Sequence, residues 1–189
     1  MKNLTPTLWR TCRMLAGQTR IRLLRQLHDT PDQNIRVRAD ALGISQPFAS
    51  QEMRRIQSHG LLQATRRGAS VVHVPKADPQ VASAAPLLKA VWTAFDTFPI
   101  ERDIDMTVIA AGLGHQRRMD MVRTLMQGPQ TAAQLLAAHP MAPTSFYLHL
   151  RTLIASGFVQ TQDRTLVFKI PPHPLAKTLA NLLRQDATK

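Results

Sequence analysis

The chain carries one cysteine, Cys12, so no disulfide can form within it. A reducing cytosol fits that economy. No apolar run approaches the length of a membrane span. The opening residues, MKNLTPTLWRTCR, have too short an apolar stretch, too often broken by arginine, to read as a secretory leader. There is no Gly-rich phosphate loop, no cluster of carboxylates and no nucleophile elbow, so an enzyme is not expected. Gly112-Leu113-Gly114-His115 lacks the third glycine of a dinucleotide fingerprint and reads as a turn into a helix. The seven histidines pair neither with one another nor with Cys12 at helical ligand spacing, so no metal and no other cofactor is expected.

Acidic residues are also scarce. Twelve Asp and Glu stand against 24 Lys and Arg, a net charge of +12 in 189 residues. Residues 1–75 carry twelve basic residues and four acids, residues 76–103 three and four, and residues 104–189 nine and four. Two basic blocks therefore flank a neutral stretch. Such a surface favours nucleic acid through release of phosphate counterions; a solvated basic face or attraction to anionic lipid is the competing explanation. At 44% hydrophobic and only 19% charged, the composition supports a packed core.

Along the chain, Thr5-Pro6 opens a helical pattern with apolar residues at Leu8, Cys12, Leu15, Ile21, Leu24 and Leu27. Gly17 marks a break, and Thr19 is the expected cap of a second helix. Thr30-Pro31-Asp32 reads as a turn, 37–42 as a short helix, and Ser45 as the cap of a helix over 46–58, with Pro47 in its first turn. Residues 61–65 and 71–74 read as strands joined by a turn at Arg66-Arg67-Gly68-Ala69-Ser70, and 81–98 as a helix. The order then recurs: a helix over 113–126, a turn at Gly128-Pro129, Thr131 capping 132–139, a helix over 143–156, a hairpin from 158–161 and 165–170 turning at Gln162-Asp163-Arg164, and a helix over 175–183.

Leu15, Arg20, Arg25 and Leu27 match Leu113, Arg118, Arg123 and Leu125 at a shift of 98. Met53-Arg54, Ile56 and Gly60-Leu61 match Leu150-Arg151, Leu153 and Gly157-Phe158 at a shift of 97. Val74-Pro75 matches Ile170-Pro171 at 96. A nearly constant shift points to duplication, and to two units over 1–98 and 99–189.

The first unit resembles the ArsR-type winged-helix repressors in Leu15-Ala16-Gly17-Gln18-Thr19-Arg20-Ile21-Arg22-Leu23-Leu24, in Leu42-Gly43-Ile44-Ser45-Gln46-Pro47 and in Ile56-Gln57-Ser58-His59-Gly60-Leu61-Leu62. The other unit resembles a drifted copy of it and keeps His149-Leu150-Arg151 and Ser156-Gly157-Phe158-Val159. The resemblance implies a mainly α fold with small β-hairpin wings, and a cytoplasmic transcription factor that pairs two-fold through its terminal helices. Two units in one chain would then form an intramolecular pseudo-dimer of tandem winged helix-turn-helix units. Ile35-Arg36-Val37-Arg38 lacks the Cys-x-Cys motif of metal-sensing relatives.

On the first recognition helix Ala49, Met53 and Ile56 should face the core. That leaves Ser45, Gln46, Phe48, Ser50, Gln51, Arg54 and Arg55 outward, with Arg66 and Arg67 at the wing tip. Gln pairs with adenine, Arg with guanine or phosphate, and Phe with a thymine methyl. On the corresponding helix of the other unit, Phe146, Leu150 and Leu153 should face inward, and Thr144, Ser145, Tyr147, Leu148, His149 and Arg151 outward, with Arg164 beside Asp163 at the tip. The expected partner is double-stranded DNA carrying an imperfect inverted repeat, bound by a monomer acting as a pseudo-dimer or by a homodimer, without a membrane role. The competing functions are a tandem winged-helix protein scaffold or chromosome-organising protein, and a replication initiator.

Overall fold

The computed structural model describes residues 6–67 and 70–186, with only the backbone described for Arg67, Ser70 and Asp186. Thr5 and the expected turn residues Gly68 and Ala69 lie outside the described residues. Four helices come first: α1 (Leu8–Leu15), α2 (Gln18–Asp29), α3 (Ile35–Leu42) and α4 (Gln46–Ser58). A hairpin of β1 (Gln63–Arg67) and β2 (Ser70–Val74) follows, then α5 (Ala84–Thr97). After a single 3-10 turn at Ile100–Arg102 come α6 (Asp103–Leu113), α7 (Gln116–Gln127), α8 (Ala132–Ala138) and α9 (Pro143–Ala155). The hairpin of β3 (Val159–Gln162) and β4 (Thr165–Phe168) and the helix α10 (Pro174–Asp186) complete the order. The protein is mainly helical with two small antiparallel hairpins, as expected from the sequence.

Local chemistry explains most boundaries. The Ser45 hydroxyl accepts from the Phe48 N–H at the start of α4. Thr131 and Gln134 satisfy each other's free N–H groups in a capping box that opens α8. Gly60 and Gly157 follow α4 and α9 with φ of 78° and 77°, a left-handed conformation that turns the chain out of each helix toward its hairpin. The expected cap Thr19 is replaced. Gly17 takes that position without a side-chain bond, because the Arg20 guanidinium folds directly over it, where even a Cβ would collide. The helix expected to begin at Leu113 begins at Gln116, since Gly114 ends α6 and His115 caps α7.

In both hairpins the register is simple. Gln63 faces Val74 and Arg66 faces Val71; Val159 faces Phe168 and Gln162 faces Thr165. Asp163 and Arg164 form the turn between β3 and β4, both at positive φ (46° and 65°), the geometry a two-residue hairpin loop requires. Gln130 adds a one-residue bridge to Leu166.

One continuous core runs through the molecule. Leu15, Ile21, Leu24, Leu27, Met53 and Ile56 fill its first half, and Met119, Val122, Leu125, Phe146, Leu150 and Leu153 its second. Each such side chain contributes about 1.5–3 kcal/mol by leaving water. Cys12 is fully buried, and burial drives its thiol well above the ordinary range. The halves join where α1 packs on α6 and α5 packs on α10. A buried ion pair reinforces the join. Arg25 of α2 holds both carboxylate oxygens of Asp103 (3.1 and 2.6 Å), donates to the Phe95 and Phe98 carbonyls, and lies 4.3 Å from the Phe95 ring centroid.

Candidate nucleic-acid interface

Helix α4 presents two faces because its apolar residues recur at helical spacing. Ala49, Met53 and Ile56 are buried, as expected. Gln46, Phe48, Gln51, Arg54 and Arg55 are exposed, with Phe48 at 41%; Ser45 is exposed but committed to its cap, and Ser50 is half-buried. The Arg54 Nε leans back onto the Ser50 carbonyl (3.3 Å), and its guanidinium makes no ion pair among the described residues. Across from it stands β2. Gln46, Ser50 and Arg54 line a groove of about 520 Å³ with Val71 and His73, so helix and hairpin form one surface. Burial and the nearby Arg54 charge hold the His73 imidazole below its ordinary pKa. Arg66 is exposed on β1; the Arg67 side chain lies outside the described residues.

Glu52 is the residue that helical spacing alone overlooks. It is buried in the middle of α4, where its carboxylate receives Arg20 from α2 and Arg55 (2.7 Å) from its own helix. Arg55 is therefore half committed to a carboxylate, and Arg54 is left as the unneutralised cation of this helix.

Helix α9 differs. Phe146, Leu150 and Leu153 are buried as expected, and Thr144, Ser145, Tyr147, Leu148 and Arg151 are exposed. His149 is not the outward residue that spacing predicts. It is half-buried, with its ring 4.7 Å from the His115 ring and its Nδ1 3.3 Å from the Arg118 Nη1. Burial, then His115, Arg118 and Arg117, keeps its imidazole below the ordinary pKa and hence neutral near pH 7. With His149 turned inward, the outward face of α9 is mixed, with large apolar side chains beside Thr144, Ser145 and Arg151. Tyr147 and Leu148 are 57% and 55% exposed, and Ile154 joins them. On the adjoining α6, Ile104 and Val108 are exposed too. Arg164 is exposed at the hairpin turn beside Asp163.

No group of three or more His, Cys, Asp or Glu side chains among the described residues is placed to hold a metal ion. No described helix is long and apolar enough to cross a membrane. No family model, no curated protein and no solved structure matches the chain.

Proposed function

We propose that the chain is a sequence-specific double-stranded DNA-binding transcriptional regulator, a repressor in its simplest mode, made of two ArsR-like winged-helix units that arose by duplication. The helix α4 enters one major groove with Gln46, Phe48, Gln51 and Arg54 toward the bases, while Arg66 on the hairpin meets the backbone. The helix α9 enters the next groove with Thr144, Ser145, Tyr147 and Arg151. One observation carries most of the weight: the order of four helices, hairpin and helix occurs twice, and the two copies pack through counterpart helices, α1 on α6 and α5 on α10. That arrangement supports an intramolecular pseudo-dimer with a recognition helix on each side of a pseudo-two-fold axis.

The two outward faces are unlike, so the target is an imperfect inverted repeat with centres about one helical turn apart. Selection of bound duplexes from a random pool, followed by the mass of the complex, tests this. Enrichment of an asymmetric repeat bound by one chain is the expected result. A symmetric site bound by two chains keeps the regulator and discards the pseudo-dimer. No enrichment overturns sequence-specific recognition. One observation favours a different reading for the latter half: Tyr147, Leu148 and Ile154 are more typical of a protein contact than of a DNA contact. On that reading α9 docks a protein partner while α4 alone reads DNA, and protection covers a single half-site.

A further inference from the structure

Between α4 and α9 runs a strip of positive charge that starts at Arg55 on the inner side of α4 and is carried mainly by α1. From the α4 side, Arg55 and Glu52 meet Arg20, whose guanidinium reaches the Met14 carbonyl at the end of α1. The backbone of Arg13, one residue earlier, packs against Gly114, where a Cβ would lie 3.3 Å from the Arg13 Cα. The neighbouring His115 ring lies 6.5 Å from the Trp9 ring on one side and 4.7 Å from His149 of α9 on the other. Contacts are thus continuous from one recognition helix to the other.

The same strip contains a cleft of about 540 Å³ lined by Trp9, Arg10, Arg13, Arg20, Arg55 and His59. Arg10, Arg13, Arg55 and Arg117 are exposed, whereas Arg20 and Arg118 are half-buried supports. Among the described residues, two carboxylates face these six guanidinium groups. Glu52 is shared by Arg20 and Arg55, and Asp120, near His115, is held by Arg123 at 2.8 Å. Arg10 lies over the Trp9 ring, and neither Arg10 nor Arg13 has an ion-pair partner among the described residues. Three imidazoles lie along the strip. His59 and His115 are held below their ordinary pKa first by burial and then by these arginines, with Asp120 opposing at His115, and His149 first by burial and then by His115 and the arginines.

We infer that this strip is a third DNA contact, in which Arg10 and Arg13 bind backbone phosphates of the segment that passes between the two recognition helices. The inference rests on the reading that α4 and α9 enter successive major grooves. The DNA between them then turns its minor groove, flanked by both phosphate chains, toward α1. Exposed, unpaired guanidinium groups suit that position, since phosphate contacts set register and affinity and carry no sequence information.

The test is the salt dependence of binding to a selected duplex and to an unrelated one, for the unaltered chain and for the double variant Arg10→Ala, Arg13→Ala. Each phosphate contact contributes about 0.9 to the slope of log K against log salt. The double variant is therefore expected to flatten the slope by about two on both duplexes, leaving their affinity ratio unchanged. Lys89→Ala with Lys177→Ala removes the same charge from exposed sites on α5 and α10 and is expected to leave the slope nearly as it was. If the unaltered chain binds DNA but the slope does not respond to Arg10 and Arg13, the strip is no backbone contact and the function proposed above stands. If the unaltered chain binds no DNA, both fall together. Binding of ATP that the double variant abolishes, with an unchanged slope on DNA, would assign the cleft to a free phosphorylated molecule and overturn the inference.

Discussion

Arg20 and Arg118, 98 positions apart, do the same thing: each guanidinium reaches the carbonyl of the residue six positions before it, Met14 and Gly112, which are themselves 98 apart. Each then extends to the helix behind it, Arg20 to Glu52 and Arg118 to His149. Charge pairing in the first half is replaced by an imidazole in the other, and that difference has measurable consequences.

Stability should fall in mild acid. His149 is held below the ordinary imidazole value of 6.5 mainly by burial and then by His115, Arg118 and Arg117, and His115 by burial and then by Arg118, Arg117 and Arg13, with Asp120 opposing. His59, His73 and His173 are shifted the same way. Between the depressed folded values and 6.5 the unfolded chain binds more protons than the folded one. The stabilisation is therefore complete above about pH 6.5 and is lost progressively below it. Urea midpoints at pH 7.5, 6.5 and 5.5 should show this decline, and His149→Gln should make it shallower. An identical slope for the variant would mean that His149 is not among the groups responsible.

Asp103→Ala should cost about 3–5 kcal/mol, because it strands the buried Arg25 guanidinium without its carboxylate. Arg25→Ala should be of similar size. The double variant should cost less than the two together, which a urea-based double-mutant cycle will register. Additive losses would deny the pair its role in joining the halves.

Alanine at Gly60 and at Gly43 offers a controlled comparison. Both have positive φ, but a Cβ at Gly60 would sit 2.9 Å from Val81 Cγ2, whereas Gly43 has nothing within 4 Å. Gly43→Ala should lose about 1 kcal/mol from backbone strain alone. Gly60→Ala should lose distinctly more, unless the segment before α5 gives way. Thermal melts of the two variants decide between these outcomes.

On DNA, Arg54→Ala should weaken binding to the selected site by about ten- to a hundredfold and relax preference at one base pair. Arg66→Ala should weaken all sequences alike. Titrations against a panel of single-base variants of the site separate the two patterns; equal loss everywhere for Arg54→Ala would reduce it to a phosphate contact.

Much of the fold can be read from residue order because it rests on local chemistry. The caps at Ser45 and Thr131, the helix-ending Gly60 and Gly157, and the inward residues of α4 and α9 each announce themselves within a few positions. The helix α6 does not. Its sequence, DIDMTVIAAGL, is apolar around most of its circumference because α1, α2, α9 and α10 pack on it, and a helix covered on several sides has no stripe to detect. The shift of 98 applied to α1 finds it. Glu52 and His149 escape a reading by spacing for a related reason. Spacing assigns a residue to a face of its own helix, but Arg20 and Arg118 arrive from another helix and draw both side chains inward.

The packing of α1 on α6 and of α5 on α10 within one polypeptide also governs how such a surface can change over generations. In a two-chain assembly of identical copies, a new codon alters both faces at once, and any gain on one side must be tolerated on the other. On the proposed duplication, Gln51 and Leu148, and Arg10 and Val108, are counterparts that are nevertheless written separately in the gene. On that reading each face is free to change by single steps, and dilution cannot separate the two.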